Sequence, residues 1–142
     1  MSSFKAFDIA GSGMAAQSVR LNTTASNLAN ADSVSGTAAN VYKPRHPIFE
    51  AVRAQLAAQG ATTESQPAVR VRGIYESTAA PSQRFEPGNP LADTNGYVYA
   101  PAVNVVEEMV NMISASRSYQ NNVEVMNTSK ELLLATLRLG QG

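Results

Sequence analysis

The sequence predicts an α+β fold in which long N- and C-terminal helices pair as an antiparallel coiled coil and a small β-rich insert occupies the middle. Three observations predict it. In the last third, Val105, Met112, Tyr119, Met126 and Leu133 recur every seven residues, and Met109, Val123 and Leu137 stand four residues after members of that series. At the other end Phe7, Met14, Leu21 and Leu28 repeat at the same interval, and the residues four after the first three of them, Gly11, Ser18 and Ala25, are small. Between these ends the chain breaks into short alternating runs punctuated by Gly, Pro, Asn and Asp. A seven-residue period keeps one stripe of a helix turned towards a partner, so two such termini bracketing a different middle predict pairing of the ends. On this reading residues 1–32 and 102–140 form one coiled-coil domain, and 33–101 are the extended, β-rich insert.

Taken in order, Ser2 or Ser3 caps a first helix that starts near Phe4 and runs to about Leu28 or Asn30. Gly11 and Gly13 each cost roughly 1 kcal/mol relative to Ala in a helix interior, a cost that makes sense where another backbone approaches closely. The change to Asp, Ser, Gly, Thr and Asn over 31–40 ends the helix. Val41 to Phe49 carries Pro44 and Pro47 and fits an edge strand or an extended arm, while Ile48, Val52 and Leu56, four apart, also fit a short helix. Residues 53–67, rich in Ala, Gln and Thr, read as a loop. Val69, Val71 and Ile74 are interleaved with Arg70 and Arg72 and predict a half-exposed strand to about Glu76, with another near Arg84 to Glu86. Pro87-Gly88 favours a type II turn, and Asn95-Gly96 ahead of Tyr97-Val98-Tyr99 is the strongest hairpin signal in the chain. Asn104 with Glu107 resembles a capping box that starts the last helix, on the order of 50 Å long. Glu107 and Glu108 near its start and Lys130 and Arg138 near its end match the helix dipole.

Composition narrows the function classes. Formal net charge is zero, with 11 basic residues dispersed along the chain, which leaves no footprint for nucleic acid. Only 15% of residues are charged, and the uncharged polar surface this implies suits a subunit packed among neighbours. Absence of Cys excludes disulfides and thiol catalysis. Asp8, Ser12, Gln17 and Arg20 interrupt the N-terminal segment, so it reads as neither a cleavable signal peptide nor a membrane span.

Candidate chemistry is sparse. His46 is the only histidine, and no elbow of the GxSxG kind accompanies it. A metal site lacks paired ligand spacing; Asp93-Thr94-Asn95-Gly96 opens like a calcium loop but misses the later acidic positions. The Gly11-Ser12-Gly13 run lacks the strand and the GK[ST] of a phosphate loop. Glu107 and Glu108 are adjacent on a helix and point about 100° apart, so they do not face one another as a catalytic pair. No catalytic residue, cofactor or metal is expected. The residues expected to matter are those of the helix seam: Phe7, Met14, Leu21, Leu28, Val105, Met109, Met112, Tyr119, Val123, Met126, Leu133 and Leu137. Asn122 and Asn127, near that seam, are candidates for setting helix register.

Two segments carry a resemblance. ASNLANADSVSG, Ala25 to Gly36, resembles the rod signature that closes the first helix of the axial proteins of the bacterial flagellum. EPGNPLADTNGYV, Glu86 to Val98, followed by PAVNVVEEMVNMISASRSYQNNVEVMNT, Pro101 to Thr128, is similar to the proximal-rod branch of that family. The resemblance implies a non-enzymatic building block whose terminal helices pair around a central export channel while the β-containing middle faces outward. It further implies passage, uncleaved, through the flagellar type III export apparatus and assembly in the periplasm with copies of itself, other rod subunits and the MS ring. Neither nucleic acid nor membrane insertion belongs to that picture. Alternative readings are another proximal-rod subunit of the same family and a soluble coiled-coil adaptor whose β insert binds a partner.

Overall fold

The computed structural model describes residues 2–54 and 66–140. Its elements are α1 (Ser2–Ala29), a single 3-10 turn (Ala38–Asn40), β1 (Arg45–Ala54), β2 (Gln66–Glu76), β3 (Ser82–Phe85), β4 (Tyr97–Ala100) and α2 (Val105–Leu139). β1 pairs with β2, and β3 with β4, in two separate two-stranded sheets. The predicted α+β class, two long terminal helices with a small β middle, is the fold observed.

Local chemistry explains the helix limits. The Asn104 side chain accepts hydrogen bonds from the amides of Val106 (3.1 Å) and Glu107 (3.3 Å), which caps α2 as predicted. Glu107 and Glu108 occupy its first turn and Arg138 its last, in keeping with the dipole. α1 stops where the Asn30 carbonyl, which a further turn of helix would have used, accepts instead from the Ser33 amide (3.1 Å) and Ser33 Oγ (2.7 Å), while Asn30 Nδ2 adds a second bond to the Ser26 carbonyl (2.8 Å).

Several expectations for the middle are corrected. Ile48 to Ala54 is strand, not helix, which suits its β-branched and aromatic residues Ile48, Phe49 and Val52. Of the loop expected over 53–67, residues 53–54 belong to β1 and 66–67 to β2, and the rest lie outside the described residues. Pro87-Gly88 does not form a type II turn, because Gly96 is the only positive-φ residue among those described. Asn89 closes the turn that does form there. Its amide N–H donates to the Glu86 carbonyl (3.0 Å), its Nδ2 to the Glu86 carboxylate (2.9 Å), and its Oδ1 accepts from the Leu91 amide (3.0 Å). That Asn89 bond, followed by the Arg84 ion pair, holds the Glu86 carboxyl below its ordinary value. Asn95-Gly96 does reverse the chain, but Asn95 keeps negative φ and Gly96 alone is left-handed at φ 82. The Gly96 amide donates to the Asp93 carbonyl (3.0 Å) and the Asp93 amide to the Tyr97 carbonyl (2.9 Å), a turn followed by one left-handed residue instead of a two-residue hairpin.

Two compact units divide the described chain. One comprises Met1–Val19, Ile48–Gly73 and Ser114–Gly142; the other comprises Arg20–Pro47 and Ile74–Ile113. Inside the first, Ala10, Ala16, Ala115 and Ser129 are buried. Gly13 lets the helices approach, since a Cβ there would stand 2.9 Å from Asn122 Nδ2. Gly11, by contrast, has open space on its Cβ side, so no close approach explains it. Ser12 Oγ donates to the Ile9 carbonyl (2.8 Å) and accepts from the Val69 amide (3.1 Å), which fastens β2 to α1.

Inside the second unit, Ser82 pairs with Ala100 and Phe85 with Tyr97 in an antiparallel register. Ser35 extends this sheet by exchanging two backbone hydrogen bonds with Tyr99 (2.9 and 2.8 Å). Val98 and Ala100 point inward with Val41, and Phe85 and Tyr97 pack edge to face at 5.2 Å. Gly36 is required here, because a Cβ would meet the Leu91 carbonyl oxygen at 2.9 Å.

Candidate functional site

The second unit is built around an amide. Asn27 on α1 is fully buried, and its Nδ2 donates to the Arg45 carbonyl (2.9 Å) and to Glu108 Oε2 on α2 (3.1 Å). Its Oδ1 accepts from the Tyr42 hydroxyl (2.9 Å) and from the Arg45 amide (2.9 Å). Two donors and two acceptor positions are all that a carboxamide offers, so every capacity of Asn27 is used. The Tyr42 hydroxyl also lies 3.1 Å from Ser26 Oγ, and one step along the helices Arg20 Nη2 donates to Asn111 Oδ1 (2.9 Å). Ascending α2 therefore meets descending α1. This is antiparallel pairing with a register fixed by directional bonds, and it also pins the start of β1.

Glu108, read from the sequence as a first-turn charge that suits the helix dipole, is 4% exposed and faces Asn27. Its neighbour Glu107 remains in solvent. Of the asparagines expected to set register, Asn122 is half-buried and donates to the Ser118 carbonyl (2.9 Å), whereas Asn127 is exposed. The register asparagine of this unit is Asn27, inside the ASNLANADSVSG signature. Sequence reading missed it because no apolar period passes through it.

The seam residues lie beside the deepest contact line. Phe7, Met14, Leu21 and Leu28 on α1 are half-buried, as are Met112, Val123, Met126 and Leu133 on α2; Val105, Met109, Tyr119 and Leu137 are exposed. The most enclosed positions are small or polar: Ala10, Ala16, Thr23, Thr24 and Asn27 on α1, and Glu108, Ala115 and Ser129 on α2. Asn27 directly precedes Leu28, and Gly13 directly precedes Met14, about 100° around the helix. Small residues allow close helix approach, and the large apolar ones then flank the contact and keep much of their surface open.

That open surface is the second feature of the site. Val106 (70% exposed), Met109, Val110 (60%) and Ile113 form an outer face on the first turns of α2 at helical spacing. Near its end the exposed leucines divide between two sides of the helix, Leu132 and Leu139 on one and Leu134 and Leu137 on the other. Such contiguous apolar faces mark surfaces that meet another macromolecule.

The sequence comparisons agree with this geometry. The family described as flagella basal body rod protein matches residues 7–36, which include Asn27 and Gly36. The family described as flagellar basal body rod FlgEFG protein C-terminal matches residues 94–139, which include Glu108 and the exposed faces of α2. The chain is 54% identical over 135 residues to the flagellar basal-body rod protein FlgC of Salmonella typhimurium, covering 95% of this chain and 96% of that protein. It is 53% identical to the FlgC of Yersinia enterocolitica over 141 residues, 99% of this chain and all of that one. Against the FlgC of Buchnera aphidicola from Acyrthosiphon pisum it is 37% identical over 142 residues, with the same coverage. With both of its helical ends matched by rod families and nearly its whole length aligned to these relatives, the chain belongs to the FlgC family of flagellar basal-body rod proteins.

Proposed function

We propose that the protein is a structural, non-enzymatic subunit of the proximal flagellar rod. It polymerises with copies of itself and with other rod subunits into a hollow helical shaft that surrounds the export channel and transmits torque. It is exported through the flagellar apparatus without cleavage of a signal peptide and acts in the periplasm, where MS-ring and adjoining rod proteins are its neighbours. The observation that carries this reading is the imbalance between interior and surface. Among the described residues the buried side chains of aliphatic and aromatic type are Ala10, Ala16, Val41, Val98, Ala100 and Ala115, mostly alanine, while Val106, Val110, Leu132, Leu137 and Leu139 stand open. A chain with so small a core gains its missing burial from neighbours, and contacts that do not close on themselves propagate as a filament. The half-buried seam residues serve the contact within the subunit, and Val105, Met109, Tyr119 and Leu137 serve contacts between subunits.

Deleting the gene, with electron microscopy of the envelope and a swimming assay, tests the role. Cells are expected to lose rods and filaments and to regain both with the intact gene; normal flagella would overturn it. A soluble adaptor, the reading from another class, would stay in the soluble fraction, whereas a rod subunit sediments with basal bodies.

A further inference from the structure

Asn95 is the only asparagine in the chain that is followed by glycine. The glycine is imposed by the fold. Gly96 adopts φ 82, and a Cβ on it would stand 3.0 Å from the Phe85 ring and 3.2 Å from Pro87 Cβ, so a side chain there is disfavoured twice. An asparagine before glycine is prone to attack of the next backbone nitrogen on its own side-chain carbonyl carbon, because no side chain shields that nitrogen. Asn95 itself is exposed, and water reaches it.

The surrounding bonds oppose that attack. The Gly96 N–H is committed to the Asp93 carbonyl at 3.0 Å. Asp93 Oδ1 accepts from the Asn95 amide (2.8 Å) and from the Tyr97 amide (2.9 Å), holding the peptide planes on both sides of the dipeptide. The Gly96 carbonyl is held in turn by the Glu86 amide at 2.8 Å.

We propose that Asn95 is a spontaneous deamidation site whose reactivity is suppressed by the Asp93 turn. In the reaction water or hydroxide removes the Gly96 N–H proton, the N–Cγ bond forms, the Cγ–NH2 bond breaks and ammonia leaves, giving a succinimide. Water then opens either ring carbonyl, to aspartate or to isoaspartate. Isoaspartate lengthens the backbone by one methylene next to Gly96 and breaks the Glu86–Gly96 and Asp93–Tyr97 bonds that lead into β4 and its buried Val98. Isoaspartate at 95 thus records how long a chain has spent with this turn open.

The test is peptide mapping for isoaspartate after incubation of the full chain at mildly alkaline pH. Four samples are compared: the folded protein, the same protein in urea, and the Asp93→Ala and Asp93→Asn variants. The folded protein is expected to react slowest and the urea sample fastest. Asp93→Ala is expected to react at least about fivefold faster than the folded parent, the factor corresponding to one hydrogen bond of ordinary net strength. Asp93→Asn keeps an Oδ1 acceptor and stays near the parent. Equal rates in the folded and urea samples overturn the proposal without recourse to any variant. So does an Asp93→Ala protein with unchanged circular dichroism that reacts no faster, or ammonia loss that maps to other asparagines.

Discussion

At the scale of single residues, the buried amide of Asn27 joins α1 to α2, to Tyr42 and to the start of β1 through four hydrogen bonds. Replacing Asn27 by Ala leaves Glu108, the Tyr42 hydroxyl and the Arg45 backbone without the partners they have at 2.9 to 3.1 Å. Stranding buried polar groups costs about 1–3 kcal/mol each, so Asn27→Ala is expected to lower stability by about 3 kcal/mol or more in urea denaturation. Asn27→Asp keeps the shape but turns an oxygen towards Glu108, and the same measurement should find it no better tolerated. The two glycines of α1 separate cleanly. Gly11→Ala meets nothing within 4 Å and is expected to raise stability by roughly 0.5–1 kcal/mol. Gly13→Ala has to displace Asn122 from its bond to the Ser118 carbonyl, and thermal melts should show it gaining less or losing.

At the scale of elements, the two helices are unequal along their lengths. Residues 20–29 of α1 carry Thr23, Thr24 and Asn27 in buried positions, with directional bonds to Glu108 and Asn111 of α2. In the other unit the buried apolar residues among those described are alanines. Local opening is easiest where few apolar contacts must be broken. Deuterium exchange on the unassembled chain is therefore expected to be slowest at 20–29 and 98–100 and faster at 5–19; uniform exchange along α1 would contradict this ordering. The exposed ion pairs of the insert, Arg45 with Glu76 and Arg70 with Glu50, contribute little beside these, since solvent screens them.

For the whole molecule, the large apolar faces of α2 are the feature that an isolated subunit leaves unexplained and an assembly explains. Met126→Asp, on the half-buried flank of the seam, should leave expression intact while abolishing motility and rods in envelope micrographs. Val110→Asp, fully on the outer face at 60% exposure, should leave the stability of the purified subunit within about 0.5 kcal/mol and still impair assembly. Motile cells carrying either substitution would contradict the assembly reading.

Much of this was legible in the chain itself. Seven-residue periodicity over Phe7 to Leu28 and Val105 to Leu133 sufficed to predict two long helices, because a helix signal repeats many times. The Asn104 cap and the strand ending at Glu76 follow from local chemistry in the same way. The rod signature was readable as a resemblance, although not its physics: that Asn27 saturates four hydrogen bonds depends on Tyr42, Arg45 and Glu108, which only folding brings together. Burial of Glu108 beside an exposed Glu107, and the strand choice for Ile48 to Ala54 over an equally periodic helix, were settled by tertiary contacts that no local window contains. By itself the sequence determined the helices, their caps and the composition of a subunit made for assembly. The tertiary structure decided which side of each helix is the inside, because small and polar residues pack closest and only their partners reveal that they are buried.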